Sequence, residues 1–181
     1  MSSTDEITPL AVGSDAPDFT LPDVLSGVPV SLADLRGDVV VLNFWSGECD
    51  WSRRYDDYFA ARADRWAEKG VRLIHINSNA NESPDDTDRV AHDLDIMVPI
   101  LDDAGNVVAD AYGALTTPHV FVITADGHLA YQGAIDDTNF RQKEATVNYL
   151  DEAVAAALAG RDPAVTATPS YGCTIVRSFA E

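Results

Sequence analysis

VVVLNFWSGECDWSRR, residues 39–54, combines a short apolar run with a lone cysteine. The run VVVLNF is uninterrupted and rich in β-branched residues, which is typical of a strand buried on both faces. From Ser52 to Lys69 the apolar residues recur at helical spacing, and Gly70 supplies a stop. The stretch therefore predicts a buried strand whose end turns directly into a helix, with Cys49 at the turn.

Further strands and helices are predicted after this stretch. Strands are indicated by β-branched apolar runs, and a hairpin by the turn ADG between the last two of them. These runs are VRLIHIN (71–77), VPILD (98–102), HVFVI (119–123) and HLAYQGA (128–134). A helix is expected after the capping residue Ser83, because Pro84 and two acids follow it. A helical turn is expected near 107–112.

A long final helix is predicted from Phe140 to Leu158, ending at Gly160. The order strand, helix, strand, helix, then strand, strand, helix predicts an α/β protein with a central mixed sheet flanked by helices. This is the order of the thioredoxin-like fold.

The length of 181 residues and the 46% apolar content fit one domain. We expect this domain at residues 12–160. A flexible N-terminus, 1–11, precedes it, and a Pro- and Thr-rich C-terminal tail, 161–181, follows it and carries Cys173.

Acidic residues outnumber basic residues throughout the chain. Thirty Asp and Glu stand against twelve Lys and Arg, which gives a formal net charge of −18. Such a field repels phosphate backbones and anionic lipids, so we expect no nucleic-acid and no membrane partner. An Asp-rich, Lys-poor surface is typical of halophilic proteins from a salt-loaded cytoplasm, where screening offsets the self-repulsion.

The chain lacks the sequence features of membrane, secreted and metal-binding proteins. No apolar run reaches the length of a membrane span, and MSSTDEITPL lacks the basic and apolar regions of a signal peptide. Two cysteines are too few for a secreted disulfide framework or a four-cysteine zinc site, and the four histidines show no i, i+4 pair. We therefore expect a soluble, cytoplasmic protein without metal or cofactor.

Cys49 is the main candidate for chemistry. At a helix start its sulfur would face free backbone N–H groups, which favours the thiolate, and Arg53 and Arg54 would act in the same direction. Glu48 and Asp50 act against it. The pattern favours a reactive cysteine, with a small buried apolar residue as the alternative.

Three neighbours of Cys49 are candidate substrate contacts. Trp45 and Trp51 are interpreted as an apolar rim for a bound peptide, although a core position for one of them fits equally well. Ser52 stands where dithiol enzymes have a second cysteine, and its hydroxyl cannot attack a mixed disulfide. The motif is C-x-x-S, so the second thiol must come from a small molecule, another chain or Cys173.

Four stretches carry a resemblance to a known family. They are GSDAPDFTLPDVLSGVPVSLADLRGDVVVLNFWSGEC (13–49), INSNANESPDD (76–86), AYGALTTPHVFVITADGHLAYQGAIDD (111–137) and GCTI (172–175). In this order they resemble the redoxin branch of the thioredoxin superfamily. That branch includes the alkyl hydroperoxide reductase and thiol-specific antioxidant (AhpC/TSA) proteins and their thiol-disulfide oxidoreductase relatives.

By this resemblance, Thr117-Pro118 is a cis-proline turn that faces Cys49 and presents the Thr117 backbone to an extended substrate strand. The alternative is an ordinary trans proline that opens a strand. The GCTI ending is similar to the tail of one redoxin subgroup. Cys173 is therefore a candidate resolving thiol that folds back over Cys49, or it packs in a tail strand with Ile175.

Two departures from the family pattern weigh on the activity. Asn43 stands where thioredoxin has a buried carboxylate that shuttles protons, and an amide cannot do this. Among peroxiredoxin features, Ser46 fits the hydroxyl position three residues before the cysteine. However, Leu42 replaces the expected proline, and HVFVI carries no arginine.

Three functions remain open. The favoured one is a thiol-disulfide oxidoreductase, in which the Cys49 thiolate attacks a protein or small-molecule disulfide and a thiol reductant restores it. The second is a peroxiredoxin-like antioxidant in which Cys49 is oxidised to sulfenic acid. The third is a redox-sensing or protein-binding module without catalysis.

Overall fold

The computed structural model describes residues 6–179, so residues 1–5 of the expected flexible N-terminus and the last two residues of the tail lie outside the described range. The strands are β1 (Thr20–Pro22), β2 (Pro29–Ser31), β3 (Val39–Phe44), β4 (Val71–Asn77), β5 (Ile100–Asp102), β6 (Thr116–Thr117), β7 (His119–Ile123), β8 (Leu129–Gly133) and β9 (Cys173–Thr174). The α-helices are α1 (Asp50–Arg53), α2 (Asp56–Glu68), α3 (Pro84–Asp93), α4 (Val107–Tyr112) and α5 (Tyr149–Leu158).

The predicted central mixed sheet is confirmed. Its strand order is β5-β4-β3-β7-β8, with β3, β4 and β5 parallel and with β7 antiparallel to β3 and β8. All six residues of β3 are buried. Val40, Leu42 and Phe44 contribute to the core on one face of the sheet, and Val39 and Val41 contribute to the core on the other. The uninterrupted apolar run therefore reflects burial on both faces.

The prediction of one continuous helix from Ser52 to Lys69 is wrong near its start. Arg54 and Tyr55 separate α1 from α2, and Tyr55 has a ψ of 0°. The Tyr55 hydroxyl donates a hydrogen bond of 2.9 Å to Asp136, which follows β8. This tertiary contact holds the ring at the break between the two helices.

The long final helix is wrong in its first part, because α5 begins only after its capping residue Asn148. Before it, the Asp137 carboxylate accepts hydrogen bonds from the backbone of Thr146 and Val147, at 2.8 and 3.1 Å. These bonds close a loop over the residues in between. Phe140 lies on that loop with 72% of its surface exposed, so its apolar character does not reflect a helix face.

The tail first follows the edge of the sheet and then crosses to the loop before β7. At β8, the Gln132 N–H donates to the carbonyl of Thr166, and the Thr168 N–H donates to the carbonyl of Gln132, both at 3.1 Å. Farther on, β9 pairs antiparallel with β6. Ile175 is 3% exposed and belongs to the core. The tail is therefore joined to the domain by backbone hydrogen bonds at β8 and at β6, and Ile175 anchors it in the core.

Within the described range, no helix has the length and the apolar character needed to cross a membrane.

Candidate active site

Cys49 lies between the end of β3 and the start of α1. It is the N-cap of α1, with extended backbone angles, and is 5% exposed. The backbone N–H of Ser52 points at its sulfur, with an N–S distance of 3.4 Å. An N–H donor in this position stabilises a thiolate on Cys49 in the reduced protein.

A disulfide joins Cys49 to Cys173. The two Cα atoms are 6.2 Å apart, and 124 positions separate the residues along the chain. Cys173 lies in β9, directly opposite Thr117, and the following Ile175 is buried. Cys173 therefore packs in a tail strand, as one alternative expected, and that strand brings its sulfur to Cys49; its role as a resolving thiol stays a prediction.

The cis peptide bond at Thr117-Pro118 is confirmed. The carbonyl oxygen of Thr117 lies 3.3 Å from the Cys49 sulfur. His119 supports this turn: its Nδ1 accepts from the Leu115 N–H at 3.1 Å, and its Nε2 donates to the Gln132 side chain at 2.8 Å. Burial lowers the pKa of His119 to about 4, so the ring is neutral near pH 7 and keeps this tautomer.

The loop before Cys49 is held by a buried carboxylate that sequence reasoning missed. Glu82 is 8% exposed. Its carboxylate accepts hydrogen bonds from the Ser46 hydroxyl, from the Gly47 N–H at 3.0 Å and from the Asn77 side chain at 2.8 Å. Each of these bonds has a charged acceptor, which makes it stronger than a bond between neutral groups.

The same network continues to the tail. The Asn77 side-chain oxygen accepts from the backbone and side-chain nitrogens of Asn79, at 3.0 and 3.1 Å. The Asn79 side-chain oxygen in turn accepts from the Val176 N–H at 3.0 Å, and the Ala80 N–H donates to the Val176 carbonyl at 2.8 Å. One chain of hydrogen bonds, which we call the Glu82 network, therefore joins the Cys49 loop to the tail that carries Cys173.

A signal for this network is present in the stretch INSNANESPDD. It follows β4, which is parallel to β3, so the carboxyl ends of the two strands lie at the same edge of the sheet. A polar segment after one strand and a reactive residue after its neighbour are thereby brought together.

The two tryptophans have different environments. Trp51 packs edge-on against Tyr171 and Phe140, with ring centroids 5.0 and 5.6 Å away, and Tyr171 and Phe140 contact each other at 5.3 Å. We call these three residues the aromatic rim. Trp45 is a correction to the predicted rim: it is fully buried and donates from its indole nitrogen to Asp56 at 2.9 Å. Its size and its hydrogen bond place it in the core.

Ser52 is also buried, at 1% exposure, and its hydroxyl oxygen accepts from the Ser46 N–H at 3.1 Å. It therefore positions the active-site loop from inside. Asn43 donates to Nδ1 of His75 at 3.1 Å, and burial lowers the pKa of His75 to about 3. The neutral pair of Asn43 and His75 thus occupies the position at which, by the resemblance, thioredoxin has a buried carboxylate.

Comparison with known proteins places this chain in a family. A model of the AhpC/TSA family matches residues 12–132. The chain belongs to the AhpC/TSA family. Its fold is thioredoxin-like, as the resemblance implied.

Relatives in the family carry the name thiol-disulfide oxidoreductase ResA. The protein of Bacillus subtilis (strain 168) is 30% identical over 118 residues, which are 65% of this chain and 64% of that protein. The protein of Geobacillus thermodenitrificans (strain NG80-2) is 34% identical over 122 residues, which are 67% of this chain and 68% of that protein. The chain thus spans slightly less than two thirds of the length of the Bacillus subtilis relative.

A solved structure extends the likeness beyond the matched family region. A hypothetical protein from Sinorhizobium meliloti 1021 superposes with a TM-score of 0.86 and 30% identity, covering 96% of this chain and 98% of that one. The family architecture and a site with two cysteines in contact are the basis for a functional assignment.

Proposed function

We propose that this family member is a thiol-disulfide oxidoreductase in which Cys49 is the nucleophile and Cys173 is the resolving cysteine. The observation that carries the proposal is the disulfide between them, formed beside the carbonyl of Thr117. The ResA relatives support the same reaction class. Ser52 cannot supply the second thiol, and the tail supplies one within bonding distance.

The reaction has two thiol exchanges. The Cys49 thiolate attacks one sulfur of a substrate disulfide R–S–S–R, forms a mixed disulfide and releases one thiolate R–S⁻. The Cys173 thiolate then attacks the Cys49 sulfur, closes the internal disulfide and releases the second R–S⁻. The substrate is thereby reduced by two electrons and the protein is oxidised by two. An external dithiol then reduces the internal disulfide by two further exchanges, which restores both thiols and oxidises the dithiol to a disulfide.

Disulfide exchange is favoured over peroxide reduction by the position of Ser46. Its hydroxyl carries one proton, and that proton is donated to Glu82. The hydroxyl oxygen also accepts from the Glu48 N–H at 3.2 Å, so the group is engaged on both sides. The Ser46 hydroxyl therefore has no proton free to donate to a peroxide beside Cys49. We propose that the protein contributes to redox homeostasis through thiol-disulfide exchange.

Turnover assays with a dithiol reductant test this assignment. The wild-type protein should reduce a disulfide substrate and consume hydrogen peroxide slowly. Cys49→Ser should abolish disulfide turnover, whereas Cys173→Ser should carry out the first exchange and accumulate the mixed disulfide. Peroxide consumption that exceeds disulfide reduction would favour the peroxidase, and inactivity in both assays would favour a redox-sensing or binding module.

The setting we propose is a salt-rich cytoplasm without nucleic-acid or membrane partners. The support is the net charge of −18, which dilute buffer leaves unscreened. The melting temperature should rise from dilute buffer to about 1 M KCl, where the Debye length is about 3 Å. A flat or falling melting temperature over this range would remove the support for salt adaptation.

A further inference from the structure

We infer that the site takes low-molecular-weight disulfides and excludes protein disulfides, because the chain's own tail already occupies the strand position on the cis-proline turn. The inference rests on the proposed function and narrows its substrate class. In a thioredoxin-like site a peptide substrate needs a free backbone edge beside the nucleophile. Here that edge is taken by β9, with Cys173 opposite Thr117 and Thr174 opposite Thr116.

The contact between the tail and the turn is tight. At Gly172 an added Cβ would come within 2.1 Å of the Thr117 carbonyl oxygen and 3.1 Å of the Pro118 ring. Glycine is thus the residue that lets the tail lie directly on the turn. No space for a second strand remains between β6 and Gly172.

Several contacts hold the tail independently of the disulfide. Ile175 is buried, and its N–H donates to the Leu115 carbonyl at 3.1 Å. Arg177 pairs with Asp110 at 2.9 Å and donates to the Ala114 carbonyl at 2.6 Å. These contacts, together with the bond of Val176 to Asn79, do not depend on the oxidation state of Cys173. Reduction of the disulfide therefore leaves the tail strand in place.

The aromatic rim narrows the remaining path by which a substrate can reach the Cys49 sulfur. Trp51 lies two residues after Cys49 and Tyr171 two residues before Cys173, and their rings are in contact. Cys49 itself is 5% exposed. A compact disulfide needs a small opening to reach such a sulfur, whereas a protein disulfide also brings its flanking backbone.

The test uses full-length Cys173→Ser, which keeps the tail strand and traps whatever reacts with Cys49. The probes are bis(2-hydroxyethyl) disulfide and insulin, and mass spectrometry follows the adduct on Cys49 in molar KCl. We expect the mixed disulfide with 2-hydroxyethanethiol to form and the mixed disulfide with insulin to form more slowly by roughly tenfold or more, because exchange depends on access. Equally fast adducts with both probes would overturn the inference.

Tail variants connect the exclusion to β9. Gly172→Ala in the Cys173→Ser background should displace the tail and accelerate the insulin adduct, with little change for the small disulfide. Gly105→Ala is the matched control, since its Cβ would meet only a methyl group of Val107 at 3.7 Å. Arg177→Ala provides a second loosened tail without steric strain, in case the alanine at 172 prevents folding.

Each remaining outcome has a defined meaning. If both loosened tails leave insulin excluded, the tail is not what excludes it and the inference is overturned. If folded Cys173→Ser forms an adduct with neither probe, the proposed function itself fails, and the inference fails with it.

Discussion

The two cysteines of the site lie in segments that are built differently. Cys49 belongs to a short local unit, in which a buried strand, a loop and the first turn of a helix follow one another along the chain. Cys173 lies 124 positions away, in a two-residue strand that pairs with β6, and the residues after this strand contact the segment after β4 and helix α4. The position of Cys49 therefore depends mainly on local sequence, with Glu82 holding the loop before it, whereas that of Cys173 depends on long-range contacts.

Because of this difference, the two segments should respond differently to the loss of contacts. The Cys49 loop should tolerate loss of the tail contacts, because β3 and α1 keep their own hydrogen bonds. The tail depends on each distant contact, and the Glu82 network and the disulfide are the links between the two. Changes in the tail should therefore alter how often Cys173 meets Cys49 more than they alter Cys49 itself.

Reduction of the disulfide should have the largest effect on stability. A cross-link over 124 positions restricts the unfolded chain, and the chain-entropy treatment gives roughly 5 kcal/mol for a loop of this size. Urea unfolding of the oxidised and reduced protein in molar KCl measures the difference. Equal midpoints would mean that the disulfide between the Cys49 segment and the tail adds no stability.

Ile175→Ala should loosen the tail. Truncation of a buried isoleucine costs about 2–5 kcal/mol of folding free energy. We also expect the equilibrium with glutathione to shift toward the dithiol, because Cys173 spends less time near Cys49. Ile123→Ala, at a core position of β7 that is 1% exposed, is the matched control. It should lower stability by a similar amount and leave the glutathione equilibrium unchanged. A shift of equal size in both variants would argue against a separate role for the tail.

Glu82→Gln should weaken the link between the two segments. The amide replaces one charged acceptor oxygen with a donor that faces other donors, which costs roughly 2 kcal/mol. Asp23→Asn is the control, because Asp23 is equally buried and accepts from Leu25 and Ile100. We expect both variants to lose stability, and closure of the disulfide to slow in Glu82→Gln alone. Unchanged closure in Glu82→Gln would reduce Glu82 to a structural residue.

The smallest expected effect is the pH dependence of stability that comes from His119, beside the cis-proline turn between the two segments. Burial lowers the pKa of His119 to about 4, below the value of about 6.5 in the unfolded chain, so its contribution to stability is lost as the pH falls. Between pH 7.5 and 5.5 this amounts to about 1 kcal/mol. His119→Gln can keep both hydrogen bonds without titrating and should show a shallower decline in stability. A decline as steep as that of the wild type would assign the pH dependence to other groups.

The local unit could be predicted from the sequence and the long-range one could be predicted only in part. The apolar run of β3, the helix start at Cys49 and the cap of α3 at Ser83 all have signals within a few residues. The spacing of apolar residues predicts a helix face that includes Phe140. It does not reveal that Asp137 closes a loop at this place. The sequence leaves open whether Trp45 lies in the rim or in the core, because its burial depends on α2 and on the hydrogen bond to Asp56.

The same limit applies to the site. Cys173 could be named as a candidate by residue type and by the GCTI ending, but its pairing with Cys49 depends on the path of the tail along β8 and β6. The role of Glu82 was not predicted, because it depends on the adjacency of the segments after β3 and β4.

Cys49 and Cys173 of one chain should form a working redox pair. The most direct measurement mixes the reduced protein with one equivalent of bis(2-hydroxyethyl) disulfide, quenches by alkylation at successive times, and maps the tryptic peptides 37–53 and 162–177. We expect a transient mixed disulfide between Cys49 and 2-hydroxyethanethiol, followed by a disulfide between the two peptides as the second thiol is released. A lasting adduct on Cys49 beside an alkylated Cys173 would show that Cys173 does not resolve the mixed disulfide.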